Sequence, residues 1–198
     1  MMATDRVEAD AGVLDRILVE RAMKGDRVAF DELAARWVNR LYGLATLILR
    51  DPDQAADATQ EALIAAWRDL SGLRDPDRFG AWLNRLVVRA CHREARRSRR
   101  RRVVEVTETP LDDHAGDDEL PAFLDRDELE RAFRRLDVEH RAIVVLHHLE
   151  GFSLGEIGDV LGLPIGTVKS RLHRALGTMR AALDADARVV RIDRERIA

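Results

Sequence analysis

Apolar side chains return every three or four residues along most of this 198-residue chain, and no stretch alternates strictly for long enough to make a strand. A chain patterned this way buries its apolar surface by packing helix on helix, so an all-α fold is expected. The pattern breaks once, over residues 103–125, where Pro110, Gly116 and Pro121 interrupt a segment with no periodic apolar face. That segment reads as an extended acidic linker between two small helical domains. The predicted organisation is an N-terminal segment with a short helix (1–25), a first domain (26–102), the linker (103–125), a second domain (126–183) and a charged tail (184–198).

In the first half, a helix near Leu14 to Met23 ends at Lys24-Gly25-Asp26. A second, roughly Val28 to Leu49, carries Phe30, Leu33, Trp37, Leu41, Leu44, Leu47 and Ile48 on one side, and Asp51-Pro52 stops it. A third runs from about Asp53 to Leu70, with Ala55, Ala58, Ala62, Ala65 and Ala66 allowing close packing. The polar loop Arg74-Asp75-Pro76-Asp77-Arg78 then leads into a fourth, about Phe79 to Arg100. Beyond the linker, Leu129, Phe133 and Leu136 mark one helix, Asp137 is placed to cap the next, and Ile143, Leu146 and Leu149 mark that one.

The net charge of -3 hides a sorting along the chain. Residues 1–102 carry 20 basic and 16 acidic groups, and residues 103–198 carry 13 and 20. Arg89 to Arg102 holds eight arginines against Glu94 alone, whereas Val103 to Asp125 holds eight acids and no base. Basic runs attract polyanions through counterion release, and acidic runs stay extended and suit a basic channel on a partner. The single cysteine, Cys91, excludes an internal disulfide and a four-cysteine zinc site. Apolar runs such as Ile143 to Leu146 fall far short of the ~18 residues of a membrane span, and the acidic N-terminus has no signal core. A soluble cytoplasmic protein without membrane insertion is expected.

Phe152-Ser153-Leu154-Gly155-Glu156-Ile157 has the form of a capping box: Ser153 faces the amide of Glu156, Glu156 reaches back, and Phe152 staples onto Ile157. A helix of about eight residues then ends at Gly162 and a second follows from about Ile165 to Leu183, the plan of a helix-turn-helix. Gly155 and Gly158 inside the short helix each cost ~1 kcal/mol relative to alanine, which points to close helix crossing. At ~100° per residue, Val168, Leu172, Ala175, Leu176 and Met179 form the back of the second helix. Its front holds Gly166, Ser170, His173, Arg174 and Gly177, flanked by Lys169 and Arg171, with no acid between Pro164 and Arg180. A small, donor-rich, cationic front suits the major groove, where arginine can bind guanine bidentately. A solvated cationic face is the bland alternative, and the capped helix and glycine turn ahead of it favour DNA.

The same projection of the fourth helix buries Phe79, Leu83, Leu86 and Ala90, with Trp82 and Val87 at the margins. Arg85, Arg89, His92 and Arg96 then line one side, at steps of four, three and four. Such a stripe can follow a phosphate backbone or stack on exposed bases. Arginine bias offers a duller explanation, since the chain has 31 arginines and only Lys24 and Lys169, but acids are nearly absent from the stripe.

Asp57-Ala58-Thr59-Gln60-Glu61, Ala66-Trp67-Arg68 and Arg78-Phe79-Gly80-Ala81-Trp82-Leu83 resemble the second conserved region of bacterial sigma-70-type factors. Gly162 to Ala175, reading GLPIGTVKSRLHRA, resembles their fourth region. With only those two regions and none between, the chain resembles the small extracytoplasmic-function (ECF) group, over roughly Asp26 to Leu183. The resemblance implies a sigma factor that binds core RNA polymerase through the β′ clamp helices and the β flap, directs it to promoter DNA and promotes melting, under an anti-sigma factor. It places Asp57, Gln60 and Glu61, at i, i+3 and i+4, against the clamp helices. Arg78, Phe79, Arg85, Arg89, His92, Arg93 and Arg96 would capture the -10 element. Thr167, Lys169, Ser170, Arg171, His173 and Arg174 would read the -35 element, and the acidic linker would thread toward the polymerase active centre. Arg89 and Arg93 stand where the family often has Asn and Asp, so no -10 preference carries over. Asp137 replaces a frequent proline, and Gly155 and Gly158 frequent alanines.

A helix-turn-helix regulator acting without the polymerase core leaves the Asp57-Gln60-Glu61 patch and the sorted charge unexplained. An enzyme is disfavoured: His147 and His148 diverge by ~100° on a helix, HExxH spacing is missing and there is no phosphate-cradling glycine loop. No cofactor or metal is expected.

Overall fold

The computed structural model describes the backbone of residues 13–105 and 124–197 and the side chains of residues 13–100 and 129–185. The first twelve residues and most of the acidic linker, residues 106–123, lie outside the described residues. Among the described residues there is no strand, as the apolar spacing requires. They form two compact units that divide between Ala95 and Arg96, inside a helix.

The first unit begins with α1, residues 13–22, which buries Leu18, Val19 and Ala22. Asp26 caps α2 (Arg27–Leu49) by accepting from the Ala29 amide at 3.1 Å. Leu33, Leu41, Leu44 and Ile48 are buried as predicted, whereas Leu47 is exposed at the edge of the stripe. Asp51 caps α3 (Pro52–Asp69), whose first position is the proline that cannot extend α2. Ala55, Ala58, Ala62 and Ala66 are fully buried along α3, so α2 can approach closely. A 3-10 turn (Leu70–Gly72) and a second (Pro76–Arg78) lead into α4 (Phe79–Glu105), five residues longer than predicted at its end. Its buried face differs from the projection. Leu86 is only half-buried, while Asn84, Val87, Val88, Cys91 and Glu94 join Phe79, Leu83 and Ala90. Adjacent residues buried in pairs mean that α4 is enclosed over a wider arc than a surface stripe.

In the second unit, α5 (Leu124–Arg134) buries Ala132 and leaves Leu129 exposed, reversing the expected anchor. Asp137 caps α6 (Val138–Val144) through the His140 amide at 2.8 Å. A π-helical turn, Val145–Leu149, continues α6, and Leu149 is exposed rather than a core residue. The predicted capping box opens α7 (Leu154–Leu161): the Glu156 amide donates to Ser153 Oγ, and the Ser153 amide donates to Glu156 Oε2 at 3.0 Å. α8 (Ile165–Ile197) packs against α5, α6 and α7 and runs through the segment expected to be a tail. No helix among the described residues is long and apolar enough to cross a membrane.

Candidate nucleic-acid and polymerase interfaces

The helix-turn-helix is built by local chemistry. Gly162 closes α7 in the left-handed conformation (φ 67°), where its amide and that of Leu163 both bond the Gly158 carbonyl. A Cβ on Gly158 would lie 2.7 Å from the Leu163 carbonyl oxygen, so this glycine is required by the turn. Gly155 meets no such neighbour, and its expected close crossing is not found. The Pro164 carbonyl then accepts from the Thr167 and Val168 amides and starts α8.

Val168, Leu172, Ala175 and Met179 are buried on the back of α8, while Leu176 falls at the exposed margin. Lys169, Ser170, His173 and Arg174 are exposed together on the front, with Thr167 half-buried beside them. Ser170 Oγ donates to the Thr167 carbonyl at 3.0 Å. Arg171 is turned the other way, forming an ion pair with Glu139 of α6. Its role therefore includes fixing α8 to α6, which periodicity alone could not show.

In the first unit, Asp57 and Gln60 are exposed on α3. Glu61 is half-buried and accepts from Arg93 Nε at 3.0 Å, so a member of the acidic patch is bonded to a member of the arginine stripe. Beside the patch lies an apolar cleft of about 500 Å³ that the sequence reading missed, lined by Val38, Tyr42, Gln60, Leu63, Ile64 and Trp67. Ile64 and Trp67 are 58% and 41% exposed, and Trp67 stacks obliquely on Phe30 at 5.0 Å. Their position off the alanine stripe of α3 was the available signal.

Of the residues assigned to the -10 element, Arg89 and Arg96 are exposed on α4, and Arg85 and His92 are half-buried. Arg78 is exposed ahead of the helix and pairs with Asp75 at 3.8 Å. Phe79 is 4% exposed, buried as the projection expects, edge-on to Trp37 at 5.7 Å and 5.9 Å from Trp82. The ring packs against both indoles at the start of α4. Cys91 is buried too, and burial pushes its thiol up to about 12, far from reactive. Among the described residues no cluster of His, Cys, Asp and Glu could hold a metal.

Two family models match the chain. Sigma-70 region 2 matches residues 33–101, and sigma-70 region 4 matches residues 126–179. The chain is 35% identical over 162 residues to the ECF RNA polymerase sigma factor SigM of Mycobacterium tuberculosis, covering 81% of this chain and 80% of that one. It is 33% identical over 181 residues to the RNA polymerase sigma-H factor of Pseudomonas aeruginosa, covering 85% and 93%. Among solved structures, the sigma factor RpoE of Bartonella quintana, crystallised with the anti-sigma factor NepR, is similar with a TM-score of 0.62. That match has 25% identity over 79% of this chain and 98% of that one. With two regions in sigma-70 order and relatives matched over most of their length, the chain belongs to the ECF group of sigma-70 RNA polymerase sigma factors.

Proposed function

We propose that this sigma factor contacts core polymerase through α3 and reads promoter DNA with α8 and α4, in the cytoplasm and without chemistry of its own. The observation that carries the reading is the front of α8, where Lys169, Ser170, His173 and Arg174 stand exposed over a buried apolar back. Such a face matches the -35 major groove in shape and in donors. Asp57 and Gln60, with the apolar cleft beside them, suit the β′ clamp helices: the carboxylate accepts from arginines while Ile64 and Trp67 supply area. The second unit would meet the β flap. Arg89 and Arg96 follow the -10 strand by charge. A partner of the anti-sigma class is proposed because the RpoE relative was crystallised with one.

Run-off transcription with purified core enzyme on the gene's own upstream DNA tests the assignment. Specific initiation is expected, and the charge reversals Asp57→Lys and Glu61→Lys should reduce core binding with the fold retained. Tight promoter binding by the chain alone, unaffected by core enzyme, would contradict it.

A further inference from the structure

The helix α1 precedes the stretch matched by sigma-70 region 2, yet it grips the loop that leads into α4. Asp15 Oδ2 accepts from the Trp37 indole Nε1 at 3.0 Å, and Asp15 Oδ1 accepts from Arg36 Nε at 2.6 Å. The indole has a single N–H, so this bond fixes how the ring is turned. The far end of the ring rests on Gly80: a Cβ there would come within 2.4 Å of Trp37 Cη2. Its face takes the Arg40 guanidinium at 5.5 Å, and Phe79 meets it edge-on.

Phe79 and Gly80 are the first two residues of α4 and directly follow the turn Pro76–Arg78. On the outer side, Arg16 pairs with Asp77 of that turn at 3.0 Å. α1 thus holds the loop twice, through Asp15 and the indole at its end and through Arg16 at its middle. Together they line a cleft of about 430 Å³ that includes Val13, Asp15, Trp37, Asp77 and Phe79. The Arg16 pair is exposed and contributes little. The Asp15 bond is part-buried, charge-assisted and aimed at the ring that seats α4.

We infer that Asp15 is a positioning residue for -10 recognition, acting through Trp37 to set where the loop 73–78 and the start of α4 meet the DNA strand. This rests on the proposed reading of that loop and of α4 as the -10 surface. An anionic Asp15 has no part in binding phosphate directly, so its effect falls on sequence preference rather than on overall attraction.

The test uses full-length protein assembled with core polymerase and single-stranded non-template oligonucleotides from a promoter it transcribes, with the -10 sequence intact or scrambled. Asp15→Ala is expected to lower the intact-to-scrambled affinity ratio about tenfold, with core affinity and salt slope unchanged. Trp37→Phe, which removes the N–H and also the far end of the indole that rests on Gly80, should lower it at least as much, and adding Asp15→Ala to it should lower it no further. Asp15→Asn retains a carbonyl acceptor and should recover most of the ratio. A preference that Asp15→Ala and Trp37→Phe both retain overturns the inference alone. An unmodified holoenzyme indifferent to the -10 sequence overturns the reading of the loop as well.

Discussion

On α8, Lys169, His173 and Arg174 stand exposed, and among the described residues no acid pairs with them. On α4 and the loop before it, Arg93 is bonded to Glu61, Arg78 lies against Asp75, and the loop is pinned through Asp77 and Gly80. Both surfaces are cationic and helical, but one presents free donors and the other holds part of its charge in internal pairs. Duplex DNA offers its edges without being opened, so a reader of duplex gains from a front set in advance. A surface for an opened strand acts only after base pairs have parted, and its internal pairs can be exchanged for phosphates at that stage. Glu61 joins the acid-amide-acid patch of α3 to the arginine stripe of α4 through its bond to Arg93.

The contrast breaks first at the glycines that set each surface. Gly158→Ala places a Cβ against a backbone carbonyl and Gly80→Ala places one against the Trp37 ring. Overpacking of this kind costs about 1–3 kcal/mol. The loss should be larger at Gly158, where backbone cannot swing aside, and Gly158→Ala should weaken -35 binding while Gly80→Ala weakens -10 capture. Urea unfolding and the two binding assays separate them, and equal effects on both DNA elements would dissolve the distinction.

Next comes the mode of DNA contact. Arg174→Ala should cost about 1–3 kcal/mol of discrimination at one -35 base pair. Arg89→Ala should weaken binding of all sequences alike and reduce the salt slope by about one. Base-substituted promoters titrated at several salt concentrations check both, and a uniform loss from Arg174→Ala would make α8 a phosphate binder like α4.

The smallest effect concerns the helix caps. The Ala29 amide, with Arg21, holds the Asp26 carboxyl below the usual aspartate range. At Asp137 burial pushes the carboxyl up, but the amide and ring of His140 outweigh it and hold the group low. A depressed carboxylate stabilises the fold fully above its unfolded pKa and loses that contribution as pH falls through the folded one. Asp137→Ala should cost about 1 kcal/mol at neutral pH. The gap to wild type should shrink below the ordinary aspartate pKa, as thermal melts across pH will show.

Where the sequence carried its own geometry, the structure agrees. Ser153, Glu156, Gly162 and Pro164 act on neighbours within a few residues, so α7 and the turn after it were legible to the residue. Elements whose form depends on distant partners were less so. The buried face of α4 includes Asn84, Val88 and Glu94 because the helix is enclosed broadly, and a projection with one stripe cannot register that. Spacing places Arg93 and Arg171 on cationic surfaces and Trp37 on an apolar stripe, but it gives no sign of their partners Glu61, Glu139 and Asp15, which lie 32, 32 and 22 residues away. The inward position of Phe79 follows from the projection of α4, whereas the two indoles that pack on it could not be read from spacing.

The π-helical turn at Val145–Leu149 bears on how such proteins change over generations. The Glu150 amide reaches back five residues to the Val145 carbonyl, and the Phe152 amide bonds the Leu146 carbonyl. The π-helical turn houses one residue more than an α-helical turn would. Deletion of a single residue, which restores regular helical spacing, should therefore be tolerated better here than inside α7, and an alignment of homologues should place one-residue gaps at this bulge.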